Sequence, residues 1–194
     1  MMKYTLKFRI WHWLNAIVIL GLLGTVFLRK TFLSYKANAE ILMSKLSAMG
    51  TDITIEDAKI LAKAIRAGMW EWHIILGYAL AFLVIYRIFL FFGDESKKED
   101  FVSLNIHKKA VKISYYILYA VILFMTISGF AIHFYTDLGI SKESVGTLKE
   151  MHESVYNFIL IFVPLHIAGV VFADAKEEYG IVSTMINGKT KENF

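Results

Sequence analysis

The chain has 194 residues, of which 57% are hydrophobic and only one is proline. A soluble domain of this length does not need so much apolar surface, so the composition predicts a protein whose solvent is the lipid bilayer. The absence of cysteine excludes disulfides, metal clusters held by thiolates and covalent cofactor attachment through a C-x-x-C-H motif. The net charge of +4 is modest and spread over loops, which argues against a nucleic-acid partner.

Four apolar runs are long enough to cross a bilayer as helices, at about 10–28, 72–92, 113–134 and 152–172. The first run begins with basic residues, as a signal peptide does. No small-residue cleavage site follows it and Arg29-Lys30 ends it, so we interpret it as a retained helix. The sequence has no internal repeat and no linker. It therefore predicts an all-α fold, an integral membrane four-helix bundle that forms a single domain over residues 1–194.

The segment 29–71 between the first two spans is polar and amphipathic. Thr54 followed by Asp57 resembles a capping box, which predicts a helix that begins there and lies at the membrane surface. Four spans place both termini on one side of the membrane, and a slight excess of Lys and Arg on that side predicts that it is the cytoplasm. The segment 29–71 is then periplasmic.

Two histidines in the fourth span share one face of the helix. His152 and His166 are fourteen residues apart, which is about 40° short of four turns and about 21 Å along the axis. Each therefore lies toward one side of a hydrocarbon core of roughly 30 Å. Ionisable groups at this depth are costly and usually functional. The spacing predicts two stacked cofactors.

Depth in the membrane pairs these histidines with one each from the first two spans. His73 begins the second span on the periplasmic side, level with His152, and His12 begins the first span on the cytoplasmic side, level with His166. Each pair supplies the two neutral imidazoles that a six-coordinate haem needs. A lone histidine at a helix end is more often an interfacial group, but four that match in depth favour two haem sites.

Glycines near the histidines agree with a bound macrocycle. Gly77 lies one turn after His73 and Gly169 almost one turn after His166, and a residue without a side chain lets a flat cofactor approach the backbone. Close packing of helices explains these glycines equally well. The same two explanations apply to the glycines in the periplasmic halves of their spans, Gly21, Gly24 and Gly129.

Two arginines are placed to bind a haem propionate. Arg87 is fourteen residues after His73 and is therefore level with the cytoplasmic pair, and Arg9 lies three residues before His12. A guanidinium at membrane depth requires a partner, and a carboxylate that accepts two hydrogen bonds would serve.

At these residues the chain resembles the prokaryotic di-haem b-type cytochromes. That family includes the b-type cytochrome subunits of nickel–iron hydrogenases, the gamma subunits of formate dehydrogenases and small cytochromes b of the bacterial inner membrane. The resemblance rests on Arg9-x-x-His12-Trp13, on His73 with Gly77 and Arg87, on the His152/His166 pair, and on the closing stretch Met185-Ile186-Asn187-Gly188-Lys189.

The resemblance implies a bundle with two haems b in the inner membrane that transfers electrons between a periplasmic redox protein subunit and membrane quinone. Carried over residue by residue, His73 and His152 ligate the periplasmic haem, and His12 and His166 ligate the cytoplasmic one. The resemblance implies no particular quinone site.

Three functions stay open at this point. An electron-transfer subunit of a membrane oxidoreductase complex is favoured. A stand-alone quinone-linked b-type cytochrome, such as a superoxide oxidase, needs a basic periplasmic funnel. A haem-free transporter needs a continuous polar path, and the spans hold few polar residues beyond histidine, Asn15, Arg87 and scattered hydroxyls. The basic residues available for a funnel are Lys30, Lys36, Lys45 and Arg66.

The two remaining histidines, His107 and His133, are interpreted as interfacial groups. A second hypothesis gives His107 a catalytic role. It lies just before the third span and titrates near neutral pH, so it is placed to relay a proton to quinone without being a haem ligand.

Overall fold

The computed structural model describes residues 4–93, 106–176 and 179–188, and within these ranges the chain is helical with no β-strand. Within these ranges, short turns join consecutive helices. The seven helices of the described ranges are α1 (Leu6–Lys30), α2 (Tyr35–Ala48), α3 (Ile55–Ile65), α4 (Ala67–Gly93), α5 (Ile106–His133), α6 (Lys142–Lys176) and α7 (Ile181–Asn187).

Helices α1, α4, α5 and α6 are long and apolar enough to cross a membrane. Their large side chains are exposed to a degree that is rare on soluble proteins: Phe82 is 67% exposed and Phe89 is 70% exposed. In a bilayer such side chains face lipid tails, while the helices satisfy their backbone hydrogen bonds internally. The predicted all-helical membrane fold with four spans is confirmed.

The membrane helices extend beyond the predicted spans. Helix α6 has 35 residues and contains the predicted span 152–172 in its middle. At 1.5 Å per residue it is about 52 Å long, so its ends reach outside the hydrocarbon core. Pro164 lies inside α6 and does not end it, because a break at this depth would expose backbone polar groups to lipid.

The segment between α1 and α4 holds two helices where the sequence predicts one. Helix α3 begins as predicted, with Thr54 as its N-cap: the Thr54 Oγ1 accepts a hydrogen bond from the backbone N–H of Asp57 at 3.2 Å. Helix α2 escapes prediction because its start lacks such a signal. Its N-cap, Ser34, makes no side-chain cap hydrogen bond, and its first turn has no acidic residue.

Helices α2 and α3 pack against each other through small residues. Ala39, Ala58 and Ala62 are fully buried, which allows the two backbones to approach closely. This alanine cluster is flanked by partly buried apolar side chains, Tyr35, Leu42, Met43 and Ile53.

The chain separates into two units, Met1–Asn15 with Leu80–Phe194, and Ala16–Ala79, and each is described by itself. The second unit contains α2, α3 and His73. In the first unit α5 packs against α6, and α6 packs against α7. The single domain over residues 1–194 stays a prediction.

Candidate cofactor site

His12 on α1 and His166 on α6 lie together in the first unit. Their ring centroids are 6.3 Å apart and their planes are inclined by 58°. A metal ion bound between two imidazole nitrogens at about 2 Å each would hold the ring centroids roughly 6 Å apart. The separation therefore leaves room for one metal ion that the two rings would hold between them. The structure thus brings together two histidines that depth in the sequence predicts to be level.

Aromatic rings surround this histidine pair. Phe162 stacks on His166 with ring centroids 5.9 Å apart and planes inclined by 10°, and the ring centroid of Tyr115 lies 6.5 Å from that of His166. On the other helix, the ring centroid of Phe8 lies 6.5 Å from that of His12. Flat, apolar neighbours of this kind suit a flat macrocycle and exclude water from it.

His152 on α6 is held by a hydroxyl from α5. Its Nδ1 lies 2.8 Å from the Ser128 Oγ, and Ser128 is 2% exposed. A Cβ added at Gly129 would lie 3.4 Å from the His152 Cε1. The imidazole therefore sits against the backbone of α5, with its orientation set by Ser128.

The same arrangement recurs at His73 in the second unit. The Nδ1 of His73, on α4, lies 2.7 Å from the Thr25 Oγ1 on α1. The indole of Trp70 stacks on the imidazole, with ring centroids 5.0 Å apart and planes inclined by 7°. His73 and His152 thus each engage a hydroxyl through Nδ1. Their pairing with each other rests on sequence depth alone.

Arg87 lies among three aromatic rings of the first unit. Its guanidinium carbon is 5.2 Å from the ring centroids of Phe8 and Tyr119 and 5.3 Å from that of Trp11. Its Nε and Nη2 also donate long hydrogen bonds of 3.4 and 3.3 Å to the Tyr119 Oη. The rings offset part of the cost of a charge inside a span. The propionate contact of Arg87 stays a prediction.

Arg9 joins the start of α1 to the end of α7. Its Nε donates a hydrogen bond of 3.2 Å to the Met185 backbone oxygen, and its Nη2 donates to the Ile186 backbone oxygen. Trp13 donates to the same Met185 oxygen at 3.2 Å through Nε1. Arg9 therefore has a structural role that the sequence does not reveal, and its contact with a propionate stays a prediction.

The glycines of the spans differ in how much space lies beside them. A Cβ added at Gly77 or Gly169 would meet nothing within 4 Å, which leaves room beside both residues. At Gly21 an added Cβ would lie 3.0 Å from the Leu76 Cδ1, so that glycine serves helix packing within the second unit. The space at Gly77 and Gly169 agrees with the predicted approach of a macrocycle.

The other two histidines lie near the two ends of α5. The backbone of His107 is the second residue of α5, and its side chain lies outside the described residues. His133 ends α5, with its ring 4.5 Å from that of Phe134. Within the described ranges no group of three or more His, Cys, Asp or Glu side chains could hold a metal ion. Any metal site there depends on fewer protein ligands, as bis-histidine ligation of haem iron does.

Sequence reasoning missed Thr25 and Ser128. Both belong to the scattered hydroxyls of the spans, which the sequence assigns no role. A usable signal exists, because both residues lie in the halves of their spans that the sequence assigns to the periplasmic side, at the depth of the histidines that they contact. Matching hydroxyls to histidines by depth would have found them.

Ionisable side chains inside membrane spans are rare and mark functional sites, and imidazole is a common ligand of haem iron. The sequence model of the family described as prokaryotic cytochrome b561 matches residues 3–188. The chain belongs to this family. It is a transmembrane b-type cytochrome that binds haem b and acts in electron transfer. Comparison with curated proteins gives no match, and neither does comparison with solved structures.

Proposed function

We propose that this cytochrome binds two haems b and transfers electrons between a periplasmic redox protein and membrane quinone. The observation that carries the proposal is the 6.3 Å separation of the His12 and His166 rings, which suits one iron ion. His73 and His152 are proposed as the second ligand pair from their equal depth in the sequence. Gly77 and Gly169 would leave room for the macrocycles.

The side chains of this chain would hold each cofactor and keep it dry. His12 and His166 each supply one imidazole nitrogen, and Phe162 covers one face of the His166 ring. Arg87 supplies positive charge near this level, where it would favour a propionate. Haem iron, when bound, supplies a one-electron couple between its ferric and ferrous states. His152 and His166 are about 21 Å apart along α6. The two proposed haems would therefore lie toward opposite sides of the membrane.

The proposed location is the bacterial inner membrane, with both termini in the cytoplasm. The segment of α2 and α3 would then face the periplasm, where a redox protein subunit could dock. The Arg66 guanidinium carbon lies 4.9 Å from the Tyr35 ring centroid, so this cation is engaged within the segment. This contact joins α2 to the residue that ends α3, within the proposed docking element. The proposed proton relay to quinone at His107 rests on the sequence alone.

The haem content and the ligands can be tested on the protein purified in detergent. Quantitative haem and protein assays should give a ratio near two. Replacing His12 or His166 with Ala should remove the same spectral component, because either variant would lack one of the two imidazoles proposed to hold that haem. Replacing His73 or His152 should remove the other component.

The matched control is His133→Ala, which changes a histidine at the end of a span that is not part of either proposed pair. This variant should keep both spectral components. A ratio near one, or loss of different components in His12→Ala and His166→Ala, would contradict the proposed ligand sets. Co-elution of a periplasmic metalloprotein would identify the partner.

A further inference from the structure

His73 and His152 share an arrangement that His12 and His166 lack. In each case the imidazole Nδ1 lies within hydrogen-bonding distance of a hydroxyl on a neighbouring helix, at 2.7 Å for Thr25 and 2.8 Å for Ser128. Within the described ranges, no side-chain hydroxyl lies within hydrogen-bonding distance of the rings of His12 and His166, and their neighbours are aromatic.

Both hydroxyls also lie within hydrogen-bonding distance of a backbone carbonyl of their own helix. The Thr25 hydroxyl donates to the Leu22 backbone oxygen at 2.6 Å, and the Ser128 hydroxyl donates to the Phe124 backbone oxygen at 2.6 Å. A hydroxyl has one proton and two lone pairs. If each hydroxyl gives that one proton to its carbonyl, it accepts from the histidine, and the imidazole proton is then on Nδ1. The lone pair that a metal bond requires is then on Nε2.

We propose that Thr25 and Ser128 are positioning residues that hold His73 and His152 in the Nδ1–H tautomer and orient Nε2 as the iron ligand. This inference rests on the proposed function, in which those histidines ligate haem. An acceptor on Nδ1–H increases electron donation by the imidazole, which stabilises ferric iron and lowers the reduction potential of that centre. Two different helices, α1 and α5, thus tune ligands on α4 and α6.

The test replaces each hydroxyl in the full-length protein and measures reduction potentials by optical redox titration. Thr25→Val keeps the shape of the side chain, and Ser128→Ala favours the helix. Both variants should retain haem, with the potential of one centre shifted upward and its haem affinity weakened about tenfold or more. Thr25→Ser should restore both values, because the hydroxyl returns.

The matched control is Thr126→Val. The Thr126 hydroxyl also donates to a carbonyl one turn earlier, that of Ile122 at 2.9 Å, and within the described ranges it makes no hydrogen bond to a histidine. This variant should leave both potentials unchanged. If Thr25→Val and Ser128→Ala gave the same potentials as Thr126→Val, the inference would be overturned.

Failure of the proposed function gives a different result. In that case His73→Ala and His152→Ala would keep the full haem content, whatever the hydroxyl variants do. A second outcome separates the two ideas: the two histidine variants lose one haem, but the hydroxyl variants keep unchanged reduction potentials. This outcome would overturn the positioning role and would agree with His73 and His152 as haem ligands. Nitrogen NMR on histidine-labelled protein identifies the tautomer of each imidazole directly, and it does not depend on electron-transfer activity.

Discussion

Arg87 shows how one charge is accommodated inside an apolar span. Three rings surround its guanidinium at 5.2 to 5.3 Å, and Tyr119 contributes both a ring and a hydroxyl. A cation–π contact is worth about 0.5–2 kcal/mol depending on its desolvation, whereas a hydrogen bond as long as these contributes less than a typical one of about 1 kcal/mol. The rings therefore stabilise the guanidinium more than the hydroxyl does.

Substitutions at Tyr119 should separate the ring from the hydroxyl. Tyr119→Phe keeps the ring and should lower the free energy of unfolding by less than about 1 kcal/mol. Tyr119→Leu removes the ring and should cost about 2 kcal/mol, because Arg87 loses a cation–π partner. Thermal unfolding in detergent measures both changes. In an Arg87→Met background the two variants should become nearly equal, and an unchanged gap would refute the cation–π account.

The control for this series is Tyr116, which is 56% exposed on the same helix. Tyr116→Leu should change the stability by less than about 0.5 kcal/mol, as most exposed substitutions do.

The sequence predicts the histidines of the candidate site better than their surroundings. Spacing and depth are properties of one helix at a time, so the depth match of His12 with His166 can be read without a structure. The contacts of Thr25 with His73 and of Ser128 with His152 depend on which helices become neighbours, and that is tertiary information. The same limit hides the rings around Arg87.

At the scale of elements, the four membrane helices follow from a single physical requirement, that backbone polar groups in lipid be hydrogen-bonded. Apolar runs of about 20 residues have no stable alternative to a helix there. Helices α2 and α3 obey different rules, since their stability depends on packing against each other. Only α3 has a capping signal at Thr54, so the sequence shows one helix of the pair.

The alanine cluster of α2 and α3 should not tolerate a larger residue. Ala62 is fully buried, so Ala62→Leu would overpack the contact and cost about 1–3 kcal/mol. Hydrogen exchange should become faster at the amides of both helices, while the haem spectra stay unchanged because these helices carry no histidine. Ala64→Leu, at an exposed position of the same helix, is the control and should leave exchange unaltered. Equal effects of the two variants would contradict the packing account.

At the scale of the whole molecule, the membrane topology depends on whether the two termini lie on the same side of the membrane. The number of spans predicts that both termini do. Contacts within the first unit support this, because Arg9 and Trp13 near the start of α1 donate hydrogen bonds to the Met185 backbone oxygen in α7. The orientation of that side depends on the weak excess of Lys and Arg and stays a proposal.

Single cysteines can decide the orientation without background, because the natural chain has none. Ser47 at the end of α2 and Ser183 in α7 are both exposed, so a cysteine at either position should be reactive. In intact spheroplasts a membrane-impermeant maleimide should label Ser47→Cys and should label Ser183→Cys only after the membrane is broken. The opposite pattern would mean that the termini face the periplasm. Labelling of both cysteines in intact cells would contradict the four-span topology. Unchanged haem spectra in both variants would show that the labelled protein is the folded one.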